Sequence, residues 1–548
     1  MKDTNLNIAR QYIVKTLCCL VLLFFIQALP CHAFSSANIP LDSPIYLYLE
    51  KLSGFGLIAS DIKGIKPFSK AEAARLVLEA EQSLSMRKET PPPFVTELVL
   101  RLLELIPREI QLRADPGINQ KTFDYKLLSS LRLRTVWLDG APRNYLRQVH
   151  DPGNDGVFGI GSGLRPANPY HSPVTQRGSE GTPLAENNNG VIYRRGFNGE
   201  LRWAAEGYLS GLATGLIEPT LRGDSDGVHA NINRGYLKLG GGGLELEAGK
   251  DENWLGLGYR GAITLTNNAN SFTLVKLSSP EPLDVAWVRR FLGEVKYSLI
   301  ASRFERITTN GQERQPWFYA FKLSVKPVDD LEIGFNLGRQ VGGTGVSNSF
   351  GDTVRGLIGG TSADNSNGLA GIEARYRIPW LRNTELYGEF SGEDTASFWP
   401  IVESYVAGIF IPRLTDDGRN DFRFEFFQGN QILYTNGTFP EGYLYKNLPI
   451  GHSQGGATQD FFFRYSHWFS VRNNLALEYI YTNRGMVSRM PGQAIERKHS
   501  GRIFWSMPLH DTIDAQLGYG IERVSNLNLV EGVARTNQLL KLELRYRY

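Results

Sequence analysis

Apolar residues recur along this chain with two different periods. Between residues 34 and 107 the period is helical. Ile45, Leu49, Leu52 and Phe55 fall on one helix face. Ser43 is placed as its N-cap with Pro44 at the first helical position, and Gly54 and Gly56 end it. Ser69 and Glu72 have the spacing of a capping box, which predicts a second helix running to about Leu84. Pro91-Pro92-Pro93 introduces a third, with Leu98, Leu102 and Leu105 on one face and Pro107 as its stop. Such short amphipathic helices predict a small bundle that packs on itself and on the rest of the chain, in a structural or assembly role.

From about Lys126 the period changes to two. Leu131, Leu133, Thr135 and Trp137 alternate with Arg132 and Arg134. Trp317, Tyr319, Phe321, Leu323 and Val325 alternate with Lys322, Ser324 and Lys326. The runs from Leu475 to Tyr481 and from Ile513 to Ile521 repeat the pattern. Strand side chains point to opposite faces, so each run has one apolar and one polar face. The connections sort into two kinds. Gly240 to Gly243, Pro327 to Asp330, Pro379 to Asn383, Ser470 to Asn474 and Pro508 to Asp511 are short. Asp139 to about Val191, Asp251 to Pro282, Val341 to Asn367, Gln428 to Thr458 and Arg484 to Glu496 are long. Outer-membrane barrels segregate short periplasmic turns from long extracellular loops in this way, whereas a soluble sandwich has no reason to. Membrane strands of about 9–11 residues fitted between these connections number roughly 16–18, and 18 is preferred.

Both ends of the chain point the same way. Lys2, Arg10 and Lys15 precede an apolar run, Leu17 to Ile26, followed by Cys31-His32-Ala33, which reads as a cleavable signal peptide. The run is too short for a membrane-spanning helix. All three cysteines (Cys18, Cys19, Cys31) lie inside that peptide, so the mature chain is expected to contain neither disulfides nor cysteine metal sites. At the other end, Leu540, Leu542, Leu544, Tyr546 and Tyr548 face one way while Lys541, Glu543, Arg545 and Arg547 face the other. A charged lumen face and an aromatic-tipped lipid face fit the closing strand of a barrel. Removing residues 1–33 takes away three basic and one acidic side chain, so the net charge falls from +3 to +1. That balance gives no basic footprint for nucleic acid. The expected organisation is a signal peptide (1–33), a periplasmic helical bundle (34–110) and a mainly β, transmembrane outer-membrane barrel of about 18 antiparallel strands (111–548).

Three stretches carry a family resemblance. Pro44 to Ala80 contains Pro-Ile-Tyr-Leu-Tyr-Leu-Glu-Lys-Leu and Lys-Pro-Phe-Ser-Lys-Ala-Glu-Ala-Ala-Arg-Leu. Gly249 to Asn270 contains Lys-Asp-Glu-Asn-Trp-Leu-Gly-Leu-Gly-Tyr-Arg-Gly. Leu448 to Asp460 centres on Gly451-His452-Ser453 and Gly455. In order and spacing they resemble the Wzi-type capsule assembly proteins of outer membranes. The second stretch departs from that family, which often has paired tryptophans and a proline where this chain has Trp254-Leu255-Gly256-Leu257-Gly258. The resemblance implies an 18-stranded barrel with a periplasmic helical bundle. It also implies a lectin-like role, holding capsular polysaccharide to the cell and organising it.

Candidate chemistry is sparse. Gly451-His452-Ser453-Gln454-Gly455 spells a hydrolase nucleophile elbow, but that motif needs a strand-to-helix turn and here it lies between period-two runs. His150, His171, His229, His452, His467, His499 and His510 lack metal-ligand spacing. Asp364-Asn365-Ser366-Asn367 lacks the glycine and glutamate of a calcium loop. Asn436-Gly437-Thr438 is a sequon by spelling alone. The candidates for glycan contact are Trp254, Tyr259, Arg260, Asn267, Asn268 and His452. Trp254 and Tyr259 offer flat faces for pyranose rings, and Arg260 can bind a carboxylate bidentately. The competing reading is that these residues plug the lumen or pin a loop to the wall. Arg165, Tyr170, Tyr443 and Tyr445 are weaker surface candidates. The expected protein is non-enzymatic, without cofactor or metal, and monomeric, with surface polysaccharide, outer-membrane lipid and the barrel-insertion machinery as partners. A porin-like channel is the alternative, and an outer-membrane hydrolase a third.

Overall fold

The computed structural model describes residues 34–88, 90–115, 121–151, 170–346, 349, 351, 366–396, 399–488, 490 and 492–547. The signal-peptide reading, Arg165, Asp364 and Tyr548 lie outside them. Period-two alternation has produced a closed antiparallel barrel of 18 strands. Each strand pairs with the next barrel strand along the chain. The last, Ala534–Arg547, pairs with the first, Phe123–Asp139, in the register Leu131↔Tyr546 and Arg134↔Glu543. The closing strand alternates as expected. Leu540 and Leu542 are exposed on the outer face while Glu543 is fully buried on the inner one.

The outer wall has aromatic rows near both rims. Towards the long connections, Phe426, Phe461, Tyr481 and His499 line up across four strands with centroid spacings of 5.0, 5.9 and 4.8 Å. Towards the short ones, Trp287, Trp380, Phe469 and Trp505 are exposed. Amphipathic rings at both interfaces mark a membrane-embedded band.

The helical stretch folds as expected in outline. It forms α1 (Ile45–Gly54), α2 (Lys70–Met86), α3 (Pro93–Leu105) and α4 (Pro107–Ala114). Ser69 caps α2, its hydroxyl accepting the Glu72 N–H at 3.0 Å. Glu72 turns to Arg75 instead of closing a reciprocal box. The cap of α1 lies one residue later than expected, at Pro44, with no side-chain bond. Pro107 does not stop the helical stretch. It starts α4, where its missing N–H and fixed φ suit a first-turn position.

Two further elements correct the sequence reading. The stretch Asp251 to Pro282, expected as one long connection, contains the barrel strand Thr273–Ser278. Its Leu274, Lys276 and Ser278 face inward, but three repeats are too few to stand out from a loop. A short helix, Ala286–Leu292, follows on the short-connection side.

The helices stop the short-connection end of the barrel. Their core, including Leu52, Leu76, Val77, Leu98 and Leu102, packs on Trp468 and Val471 of the wall. Lys51 pairs with Asp421 at 2.7 Å and donates to the carbonyls of Pro412 and Gly418 at 3.0 and 2.8 Å. From there residues 59–66 run into the lumen. Asp61 meets Lys326 at 2.7 Å and Arg375 at 3.2 Å, and Lys63 meets Glu385 at 2.7 Å. The backbone N–H groups of Lys63 and Gly64 donate to Glu332 at 3.0 and 2.9 Å. Charges lining the lumen, which a water-filled pore would also need, are here consumed by the chain's own plug.

Candidate functional site

Long connections fill the lumen from the opposite end and meet the plug in the middle. Ile65–Lys66 pairs as a two-residue ribbon with Trp254–Leu255. Ile65, Leu255, Ile263, Leu265, Tyr443 and Ile450 share one buried core. Leu255 sits in that core, and Leu257 packs on Tyr387 and Phe410 of the wall.

The loop 251–272 is tied down by carboxylates on the barrel wall. Glu425 accepts the N–H groups of Tyr259, Arg260 and Gly261 at 2.6, 2.9 and 3.3 Å, and the Tyr387 hydroxyl donates to it at 2.8 Å. Glu389 accepts the Ile263 N–H at 3.1 Å. A carboxylate gathering several N–H groups is a strong anchor, because charge-assisted hydrogen bonds are roughly twice as strong as neutral ones.

The loop around His452 leans on the first. His452 is fully buried, its ring stacked on Phe427 at 3.6 Å between centroids. Its backbone N–H donates to the Tyr434 hydroxyl at 2.7 Å, which itself donates to the Ile263 carbonyl at 2.6 Å. Burial pushes the His452 imidazole down to about 3, so it is neutral, and Nδ1 accepts the Gln454 N–H at 3.3 Å. Ser453 is buried too, its hydroxyl accepting from the Gln454 side chain at 3.3 Å. No strand-to-helix turn is present, so the nucleophile-elbow geometry is not formed. Among the described residues no group of three or more candidate ligands could hold a metal ion.

Between the plug, the inward loops and the wall lies a cavity of about 450 Å³. Trp254, Tyr259, Arg260 and Asn267 line it. Trp254 keeps 6% exposure, and its indole Nε1 is buried without a hydrogen-bond partner. Tyr259 stacks on Phe462 at 5.8 Å, with the Arg423 guanidinium 4.3 Å from its ring. Arg260 is committed to Asp460 at 3.2 Å and Glu186 at 3.1 Å. Asn267 holds the roof, donating to the Asn187 carbonyl at 3.1 Å and the Asn189 side chain at 2.9 Å. Asn268 and His452 do not line the cavity. Asn268 donates to the Pro449 carbonyl at 2.9 Å and ties the two inward loops together. Tyr443 and Tyr445, expected at the surface, are buried because their loop turns into the lumen. The Tyr443 hydroxyl donates to the Thr264 carbonyl at 3.0 Å.

The cavity also has walls that sequence reasoning missed. Tyr46 and Lys66 come from the plug, and Lys541 from the closing strand. The Lys66 ammonium lies 5.7 Å from the Tyr46 ring and 6.0 Å from the Trp254 ring. Burial pushes it below its ordinary value, only partly opposed by the Glu50 carboxylate. The plug residues lie hundreds of positions from Lys541, so no local pattern links them. The cavity is roofed by Glu186 to Asn189 and reaches the short-connection end. There the Asp42 and Asp514 side chains keep 40% and 20% accessibility.

The family described as capsule assembly protein Wzi matches residues 165–539. The Escherichia coli protein Wzi has a TM-score of 0.63 to this chain at 15% identity, over 93% of this chain and 99% of that one. Its structure is described as an outer-membrane carbohydrate-binding β-barrel involved in group 1 capsule assembly. OprD of Pseudomonas aeruginosa has a TM-score of 0.40 at 9% identity, over 77% of this chain and 94% of that one. No curated protein sequence matches. With a barrel of the same architecture and a match over most of its length, this chain belongs to the capsule assembly protein Wzi family of outer-membrane β-barrels.

Proposed function

We propose that this barrel binds capsular or other surface polysaccharide and helps to attach and organise it at the cell surface. It does so without catalysis. Family membership carries the reading. The filled lumen supports it over a diffusion channel, because plug and inward loops meet at Ile65–Lys66 and Trp254–Leu255. In this reading the long connections are extracellular and α1 to α4 are periplasmic, following the usual asymmetry of such barrels. The first 33 residues direct export, 34–110 form the periplasmic helical bundle and 111–548 the barrel. The protein acts as a monomer, inserted by the cell's barrel-assembly machinery.

The test is the partition of polysaccharide between cells and medium, with and without this protein. Loss of the protein should send polysaccharide into the medium while total synthesis holds. An unchanged partition would sink the attachment role.

A further inference from the structure

On the outer wall, one patch near the long-connection end carries charge that nothing in the chain uses. Arg497 and His499 lie on the strand Glu496–His510, and Arg523 lies on Ile513–Ser525 in register with His499. All three are exposed. Side chains alternate across a strand, so Lys498 between them faces inward, where it pairs with Glu180 at 2.8 Å. Among the described residues, Arg497 and Arg523 make no ion pair, hydrogen bond or ring contact. The outward residues in register with them, Asn483, Ser525 and Thr536, are uncharged. The two arginines are diagonal neighbours, about 7–8 Å apart across the strand pair. Side chains of that length can close on one anion between them, and guanidinium groups bind phosphate bidentately.

On the membrane side of these cations the wall has a notch. Gly501 stands in register between Tyr479 and Ile521, which are 46% and 42% exposed. A Cβ built on Gly501 meets no atom within 4 Å. The Tyr479 hydroxyl meets His499 Nδ1 at 2.8 Å and steadies one edge. Ile503 and Tyr519 continue the apolar wall beyond it. His499 also ends the aromatic row that marks the membrane interface, so the arginines sit at headgroup level and the notch at acyl level.

We propose that this patch is a binding site for lipid A, the phosphorylated glycolipid of the outer leaflet. Arg497 and Arg523 hold a phosphate, and the Gly501 notch seats an acyl chain. Clustered basic side chains at a membrane surface attract anionic headgroups. The leaflet follows from the orientation proposed above, and the attachment role does not enter the argument.

The experiment titrates the detergent-solubilised mature barrel with bisphosphorylated lipid A and with dephosphorylated lipid A of the same acyl chains, read by native mass spectrometry. The phosphorylated lipid should bind at least tenfold more tightly. Arg497→Gln and Arg523→Gln together should bring the two lipids within about twofold. Arg303→Gln removes another exposed arginine on the opposite side of the barrel and should leave the preference unchanged. Gly501 lacks a positive φ and its Cβ has open space, so Gly501→Phe fills the notch in a folded wall. It should weaken both lipids several-fold. Equal affinity for the two lipids, a double variant that keeps the preference, an equal loss in Arg303→Gln, or full binding by Gly501→Phe would overturn the proposal. Phosphatidylglycerol binding as tightly as lipid A would overturn the choice of lipid. If lipid A binds as expected while cells lacking the protein retain their polysaccharide, the attachment role fails and the lipid site stands. If retention is lost but lipid A does not bind, only the lipid site fails.

Discussion

A Cβ atom built on Gly261 would lie 2.1 Å from Cδ2 of His452. The two residues are glycine and histidine of two separate motifs, and their contact leaves no room for a side chain at 261. The first inward loop needs a bare backbone at 261 so that the second can lay its imidazole between that backbone and Phe427. The motifs therefore build the lumen filling, and packing against Gly261 and Phe427 holds His452 in place.

Gly261→Ala should destabilise the barrel by about 1–3 kcal/mol, the usual cost of overpacking a filled interior. Urea unfolding of the refolded protein would measure it. His452→Ala in the same chain should recover part of the loss, since residues in contact are not additive. Full additivity of the two changes would contradict the contact.

His452 also sets a pH dependence. Its folded value is about 3 against an ordinary 6.5, so below pH 6.5 the unfolded chain takes up a proton that the folded one refuses. Its contribution is complete above pH 6.5 and is lost as the pH falls towards 3. At pH 4.5 the loss is about 2–3 kcal/mol at 1.36 kcal/mol per pKa unit. His452→Phe should flatten the stability slope between pH 4 and 6.5. An unchanged slope would show that other groups carry it.

Asp61 holds the plug to the wall through Lys326 and Arg375. Asp61→Ala leaves Lys326 buried without its carboxylate, while Arg375 keeps Glu332 and Glu385; breaking such a buried pair costs about 3–5 kcal/mol. In planar bilayers the wild-type barrel should stay silent, while the variant should show transient openings as the plug loosens. Large, stable wild-type openings would favour the channel reading instead.

Ser69→Ala removes the α2 cap bond to the Glu72 N–H. The expected cost is about 0.5–2 kcal/mol, read as a lower urea midpoint with an unchanged barrel. Ser69→Asp should keep most of the stability, because an aspartate can accept the same bond.

Alternation and capping make the architecture legible in the sequence. The Leu540–Tyr546 face, the short and long connections and the Ser69 cap all rest on contacts within a few residues, where side-chain direction follows from backbone geometry. Thr273–Ser278 escaped because three repeats carry too little periodicity, and α4 because a proline can begin a helix as well as end one. Tyr443 and Tyr445 were misplaced for another reason. A polar loop pattern does not reveal that the loop turns inward.

The sequence by itself determined a helical segment, a barrel of about eighteen strands and the loop that carries Trp254, Tyr259, Arg260 and Asn267. Only the tertiary structure decided that the loop lies inside the barrel and that Lys66 from the plug and Lys541 from the last strand share its cavity. The physical reason is sequence separation. Closing an 18-strand cylinder brings residues hundreds of positions apart onto one inner surface, and no local periodicity encodes which of them face each other across it.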